Sequence, residues 1–592
     1  MINKIYIFFL NQNHSVYRRF IFIMIVLLLA MIFEMIGLSL IIPLVTQIVS
    51  EQPNFLLISL NKIFSNLFKL EFISYIETLE FFKDPQTAYL LVTTILVLLF
   101  YTFKVSLLTF SLKIQSDFIY LIHANLSARL FKKYLGNSYK FHLKNNSSKL
   151  LKNLISEIDQ LIINGIVPIM LLITDFALII AVTILLIFYE PLGTISAIIF
   201  ILAMSIIFIK STNKKIITIS SERQKYEDEK YKEFQEALGS ILEIKVYQKE
   251  KYFYNKFLKN LNELRKISSF HHFITFVPQI WLEYIALYGL FFLIVIISIF
   301  DNSPSSQIAT LSLFAASLFR LLPAISRIIS SYNRVKFTKV VFDLINNHLI
   351  AKDATNHKNN NYYNFNKNRL SKKESILFRN IYFKYNNVFI FEDASFEIEF
   401  NKINGIIGES GSGKSTLVNL LLGVISPESG SIYFSHKDEN SASSNWLKNF
   451  SYVPQKIYLS DDSILQNIAF GSDIENIDRI KIQEIIRKVK LEDLIMSLPN
   501  GLENKIGERG IRISGGQSQR IGIARIMYQN RQIIILDEAT SALDKNTEIE
   551  VLNGLFSNIE NKTFIIIAHR KETIDKCDNL FLVENKKVKK IK

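Results

Sequence analysis

Up to about residue 345 the chain is dominated by long runs that are apolar on every side of a helix rather than along one stripe. Runs of about twenty such residues read as membrane-crossing helices. Six spans are expected, roughly Phe20 to Val49, Thr87 to Leu112, Leu161 to Phe188, Leu192 to Ile209, Phe273 to Ile299 and Ile308 to Ile329. The alternative, buried helices of a large soluble protein, fails on size, because six such runs need a larger core than this chain can cover. Between the fourth and fifth runs, apolar and aromatic residues return at helical spacing among charges (Tyr226, Tyr231, Phe234, Leu238, Ile241, Leu242). That pattern predicts that both spans continue as helices beyond the bilayer, since about forty residues of helix reach about 60 Å, twice the hydrocarbon thickness. Residues 346–375 then form a polar, Asn-rich linker, and from Ile376 to Lys592 short β-type runs alternate with helical patterns. The second half is expected to be an α/β domain.

The chain has 592 residues, is 49% hydrophobic and 20% charged, and carries a net charge of +15. This apolar content excludes a largely disordered protein. The basic excess raises a nucleic-acid partner, but its distribution points elsewhere. Between spans two and three lie Lys113, Arg129, Lys132, Lys133, Lys140, Lys144, Lys149 and Lys152 against only Asp117, Glu157 and Asp159, and residues 210–270 are again Lys-rich. Between spans one and two, Lys62, Lys69 and Lys83 face Glu51, Glu71, Glu77, Glu80 and Asp84. Basic loops stay in the cytoplasm, so both termini are expected there, with no nucleic acid as partner. Met1 to Arg19 reads as an amphipathic lead-in on the membrane surface, and the first span lacks the cleavage pattern of a signal peptide. The single Cys577 excludes an internal disulfide.

The chemistry is concentrated after residue 400. Gly408, Glu409, Ser410, Gly411, Ser412, Gly413, Lys414, Ser415 and Thr416 follow the apolar strand Ile403 to Ile407 and precede a helical run, Leu417 to Leu422. This GxxxxGKS spacing is a phosphate-binding loop: backbone N–H groups curl around phosphate, Lys414 supplies a cation, and the Ser415 hydroxyl can ligate Mg²⁺. A second strand, Ile533 to Leu536, ends in Asp537 and Glu538, where one carboxylate can hold the metal shell and the other polarise a water. Ser514 to Arg520 (SGGQSQR) opens another helix and offers a second anion-binding end, followed by the SALD run Ser541 to Asp544. One nucleotide can scarcely use both helix ends within one domain, so a second domain is expected to supply one of them.

These ordered motifs resemble an ABC exporter half-transporter, one membrane domain fused to one ATP-binding domain. The resemblance implies ATP and Mg²⁺ as cofactors. It implies Tyr385 as the adenine-stacking aromatic, Gln455 as the glutamine sensing Mg²⁺ and attacking water, Glu538 as general base and His569 as the γ-phosphate switch, with Mg²⁺ held by Ser415, Gln455 and Asp537. Ser514, Gly515, Gly516 and Gln517 are implied to close on the ATP of a second copy, with Asp544 in the loop linking the two sites of a homodimer. Short helices at the inner-loop tips, placed near Ser138 to Asn146 and Gly239 to Tyr247, are implied to couple the halves in an alternating-access cycle. Two departures stand out: Ile513 where the family usually has Leu, and Lys505 in NKIGERG (Asn504 to Gly510) where an acidic residue is common.

Charges inside spans are costly and so mark function by default; Glu34, Lys104, Asp175, Glu283, Arg320 and Arg327 qualify. Arg320, Arg327 and Arg334 are spaced by seven, lining one helix face about 10 Å apart. Such a row suits a diphosphate; equally, Arg320 or Arg327 can pair with Glu34, Asp175 or Glu283, with Arg334 at the interface. EMIGLSLIIPLV (Glu34 to Val45), VPQIWLEY (Val277 to Tyr284) and LFRLLPAISRIISSY (Leu318 to Tyr332) are similar to the lipid-linked oligosaccharide flippases of bacterial N-glycosylation. That likeness implies a polyprenyl-diphosphate glycan flipped across a bacterial inner membrane. The alternative is another amphiphile, a lipid A core, a peptide or a drug; the lack of a protease domain before the first span argues against a leader-cleaving peptide exporter.

Overall fold

The computed structural model describes residues 14–49, 54–68, 85–189, 191–300, 304–350, 363–364, 375–435, 446–507, 510–557 and 562–592. The first part of the lead-in, the acidic segment before the second span, most of the Asn-rich linker and residues 508–509 of NKIGERG lie outside them. The chain forms two compact units that divide near residue 353, with residues 138–143 grouped with the second.

The first unit is helical. Each expected span falls on a long helix: α1 (His14–Ser39), α2 (Pro85–Gly136), α3 (Val167–Tyr189), α4 (Pro191–Gly239), α5 (Glu250–Phe300) and α6 (Pro304–Phe337). The first span breaks after Ser39 and resumes as Ile41–Val49, which carries Pro43 near its start. The helices α2, α4 and α5 have 52, 49 and 51 residues, each about 75 Å long. Spans four and five therefore do continue without interruption, and so does span two, which the sequence pattern had ended at Leu112. Among the described residues, three segments are long and apolar enough to cross a membrane: Val16–Val45, Thr87–Gly136 and Ser147–Phe188. Leu38 of α1, Leu178 and Val182 of α3, Leu282 of α5 and Ala324 and Ile325 of α6 make one buried core, while Leu98, Leu99, Phe103 and Phe110 of α2 face outward. An apolar exterior of this extent is the mark of a surface that meets lipid or a partner.

Short helices Tyr139–Lys144 and Ile241–Val246 occupy the two expected inner-loop tips. Beyond the first tip the helix widens into two π-helical turns, Asn153–Glu157 and Ile162–Ile166, a feature with no sequence signal. Glu157 is fully buried there and pairs with Lys152 (3.0 Å) and with Arg223 of α4 (2.6 Å), fixing the inner-loop helices to α4.

The second unit contains β1 (Ser375–Tyr385), β2 (Val388–Glu399), β3 (Ile403–Ile407), α7 (Lys414–Leu421), β4 (Ser429–Phe434), β5 (Phe450–Val453), α8 (Gly515–Gln529), β6 (Ile533–Asp537), α9 (Lys545–Phe556), β7 (Thr563–Ile567), β8 (Asn579–Glu584) and β9 (Lys587–Lys590). Its main sheet runs β9-β8-β3-β7-β6-β5, parallel except for β9. The alternation of strand side chains explains the continuous apolar runs: Ile533, Ile535, Ile565 and Ile567 pack on one face, Ile534, Leu536, Phe564 and Ile566 on the other. The parallel direction of β3, β6 and β7 places the loops that follow them at one end of the sheet, the usual ligand-binding edge of such a fold.

Candidate functional site

The phosphate loop leaves β3 and enters α7 at Lys414, three residues before the helix expected from its apolar pattern. Gly413 is left-handed (φ +107°), and a Cβ there would come within 2.7 Å of Ile390, so only glycine fits. Lys414 is buried, and its Nζ donates to the carbonyl oxygens of Gly408 (2.8 Å) and Glu409 (2.9 Å), holding the ammonium inside the loop. The Ser412 hydroxyl is buried without a partner. A buried orphan hydroxyl beside a caged cation and a helix N-terminus fits an anionic ligand. Glu409, Ser410, Gly411 and Ser415 are exposed, Thr416 is half-buried, and Tyr385, 39% exposed, packs edge-on against Phe383 (4.8 Å).

Asp537 closes β6 and is buried, and Glu538 follows with a left-handed backbone (φ +50°), a conformation a non-glycine residue adopts at a cost. Both Glu538 oxygens are engaged: Gln455 Nε2 donates to Oε2 (2.6 Å), and His569 Nε2 lies 3.1 Å from Oε1. The Tyr452 hydroxyl donates to Asp537 Oδ2 (3.2 Å). Burial pushes the Asp537 carboxyl above its ordinary range, and burial beside Asp537 pushes the Tyr452 phenol up. Among the described residues no cluster of three His, Cys, Asp or Glu could cage a metal. Magnesium keeps several waters and is bound through one or two carboxylates plus substrate phosphates, so a set such as Asp537 with Ser415 and Gln455 needs no such cluster.

Ser514 caps α8: its hydroxyl accepts from Gln517 N (3.2 Å), while Gln517 Oε1 accepts from Ser514 N (2.9 Å). Gly515 and Gly516 lie against Ala542. Asp544 caps α9 by accepting from Thr547 N (3.0 Å), which holds its carboxyl below the ordinary range. Four groups escaped the sequence reading. Gln519 Nε2 donates to Glu538 O (3.3 Å) and to Ser541 Oγ (3.0 Å), and its Oε1 accepts from Ala542 N (2.8 Å). Arg570 donates to Leu543 O (3.0 Å) and Ser541 O (2.7 Å) and pairs with buried Glu548, and Tyr452 touches Asp537. Gln519 lies inside the Ser514 to Arg520 run and Arg570 directly follows His569, positions that could have drawn attention to them.

In the first unit the arginine row is paired. Arg320 Nε meets Glu34 Oε1 at 2.8 Å, and Lys104 Nζ meets Glu34 Oε2 at 2.8 Å, joining α6, α1 and α2. Arg327 reaches Asp175 of α3 through Nε (3.0 Å) and Nη2 (2.7 Å). Both arginines keep about half of their side chains exposed, 50% and 45%, so pairing leaves donors free for another anion. Arg334 lies over the Phe276 ring at 6.0 Å, and Glu283 is exposed and accepts from Gln279 Nε2 (3.2 Å).

Comparison with known proteins agrees with this geometry. Residues 52–322 match the ABC transporter transmembrane region and residues 391–541 the ABC transporter family model. An ATP-dependent lipid A-core flippase of Saccharophagus degradans is 34% identical over 60% of this chain and 58% of its own length. Another of Ralstonia nicotianae is 25% identical over 78% of this chain and 77% of its own. Alignments to several other curated relatives span less than half of their length. The solved structure of a bacterial Atm1-family ABC exporter with ATP bound shares the fold at a TM-score of 0.77 and 18% identity, covering 98% of this chain and 96% of that one. With an ABC transporter transmembrane region and an ABC transporter domain in one polypeptide, the chain belongs to the ABC transporters and has the fold of an exporter of that group.

Proposed function

We propose that this protein is an ATP-driven exporter that hydrolyses ATP and moves a phosphate-bearing glycolipid across a bacterial inner membrane. The observation that supports the ATPase best is Glu538 at the end of β6, 3.1 Å from His569 and 2.6 Å from Gln455, beside the Lys414 loop. In this reading the loop from Gly408 to Thr416 holds the phosphates, Tyr385 stacks the adenine, Glu538 takes a proton from the attacking water and His569 contacts the γ-phosphate. Ser415, Gln455 and Asp537 would hold Mg²⁺, which when bound neutralises phosphate charge. Nucleotide entry exchanges the loop carbonyls around Lys414, and the Gln455 contact on Glu538, for phosphate and water. Residues 1–345 then form a six-span membrane domain with cytoplasmic termini, residues 346–375 the linker and residues 376–592 the ATPase domain, working as a homodimer by alternating access. Replacing Glu538 by Gln removes the base and leaves the cradle. Hydrolysis by the purified protein should fall at least about a hundredfold with nucleotide affinity unchanged, and turnover at the wild-type rate would refute the assignment.

The cargo reading rests on charge. Among the described residues Lys104 and Arg320 share Glu34 and Arg327 pairs with Asp175, while Glu283 contacts Gln279 instead, so the paired cluster itself holds three cations to two carboxylates, and a local excess of this sign favours an anionic head group. A polyprenyl-diphosphate glycan meets that requirement, with Arg320, Arg327 and Arg334 as its contacts. A lipid A core meets it too, and the names of the two flippase relatives favour that second reading. Flipping of each lipid in reconstituted vesicles, beside an uncharged glycolipid, distinguishes them. Exchange of Arg320 and Arg327 for Ala should spare basal hydrolysis and stop flipping of the charged lipids.

A further inference from the structure

Behind the pair Glu538–His569 lies a carboxylate to which the reading above gives no part. Glu548, in the first turn of α9, is 3% exposed. Its Oε1 accepts from Thr540 Oγ1 (2.8 Å) and from Thr573 Oγ1 (2.8 Å), and its Oε2 pairs with Arg570. Thr540 stands two residues after Glu538, and Arg570 immediately follows His569. The two loops that carry the carboxylate and the imidazole are thus both fastened to one buried side chain. Arg570 extends the fastening by donating to Ser541 O (2.7 Å) and Leu543 O (3.0 Å), in the loop that ends at Asp544. Glu538, Thr540, Glu548, His569, Arg570 and Thr573 also line one cavity of about 120 Å³.

A buried carboxylate is costly unless every lone pair is engaged, and an apolar pair of similar volume would serve stability as well or better. Two threonines and an arginine satisfy Glu548: Thr540 and Arg570 come from the loops after β6 and β7 and Thr573 from the short helix Lys571–Asp575 that follows, none of them from α9 itself. We propose that Glu548, with Arg570, is a positioning residue for ATP hydrolysis: it fixes the spacing of Glu538 and His569 and ties both to the Ser541–Asp544 loop. This rests on the ATPase reading. Reacting groups misplaced by about 1 Å lose rates of the order of a hundredfold, so a clamp at this place is worth that much to turnover while leaving the phosphate cradle untouched.

The test uses the full-length protein in detergent or nanodiscs, with kcat, KM for ATP, affinity for a non-hydrolysable ATP analogue and thermal unfolding measured together. Glu548→Gln keeps the shape but faces Arg570 with an amide; kcat should fall between about 10- and 100-fold with analogue affinity within about twofold of wild type. The double variant E548M/R570M removes both buried charges and should restore the unfolding temperature while kcat stays low. A kcat that recovers together with the unfolding temperature overturns the proposal, as does Glu548→Gln at the wild-type rate. So does a parallel loss of analogue affinity at restored stability, since the damage then reaches the cradle. A wild-type protein that hydrolyses no ATP is a different result and defeats the ATPase reading instead.

Discussion

Glu34 is held between two cations of unequal exposure, and that inequality predicts which partner matters more. Lys104 is 2% exposed, whereas the Arg320 side chain is 50% exposed. Replacing Glu34 by Gln leaves a buried ammonium without its counter-charge, a loss of about 3–5 kcal/mol. Replacing Arg320 by Ala leaves the Glu34–Lys104 pair intact, and unfolding in detergent should show a loss of at most about 1 kcal/mol. Equal losses would mean that the Arg320 pair accounts for the whole effect of losing Glu34 and that burial does not rank the two cations. Glu399, at the end of β2, makes a separate prediction. Hydrogen bonds from Lys402 (2.7 Å) and Lys590 (2.6 Å) lower its carboxyl from 4.5 to about 2. Because the folded value is the lower one, this contribution is complete above about 4.5 and is lost as pH falls toward 2. Glu399→Gln should flatten the acid limb of unfolding there, less so at high salt because the pair is partly exposed. The spacing of Arg320, Arg327 and Arg334 was legible in the sequence, and so were the candidate partners Glu34, Asp175 and Glu283, but not which arginine meets which carboxylate. Glu34 and Asp175 come from helices far away in the chain, and periodicity within one helix carries no information about which neighbour it meets.

At the scale of elements, β3 shows what a central strand demands before it delivers the phosphate loop. Gly405 sits in it with β7 on one side and β8 on the other, and a Cβ there would lie 2.8 Å from both Cys577 Sγ and Leu580 Cδ1. Gly405→Ala should therefore cost about 1–3 kcal/mol by overpacking. Cys577→Ala in the same chain should recover part of the loss, giving a double-mutant coupling well above 0.5 kcal/mol; strict additivity of the two changes would show that they do not touch. The lone cysteine, uninformative in the sequence, is thus a packing residue whose thiol burial pushes up to about 11. Strands β3 and β6 were readable from their apolar runs because both faces are covered, and the spans were readable because only isolated charges interrupt long apolar runs. The π-helical turns at Asn153–Glu157 and Ile162–Ile166, and the continuation of α2 to Gly136, were not. A widened turn changes one hydrogen bond per residue and leaves hydropathy unaltered, and a helix leaving the bilayer becomes polar exactly as a loop does.

At the scale of the whole molecule, each chain supplies one phosphate loop and one Ser514-capped helix end. If ATP is enclosed between a loop from one chain and a helix end from another, inactivating changes must combine differently according to which chains carry them. Lys414→Ala and Ser514→Arg provide the two changes, one removing the cation and the other blocking the helix end. Consider dimers of differently tagged chains, purified to contain one of each. With both changes on one chain and none on its mate, each composite site receives one lesion and hydrolysis should vanish. With one change on each chain, both lesions meet in the same site and the other stays intact, so about half of the activity or less remains, depending on how tightly the two sites are coupled. Sites contained within single chains give the opposite order, because the doubly altered chain then leaves its mate whole while the divided changes disable both. The ranking of the two mixed dimers, measured against dimers of unaltered chains, decides whether the Ser514 end of one chain completes the site that Lys414 opens in the other.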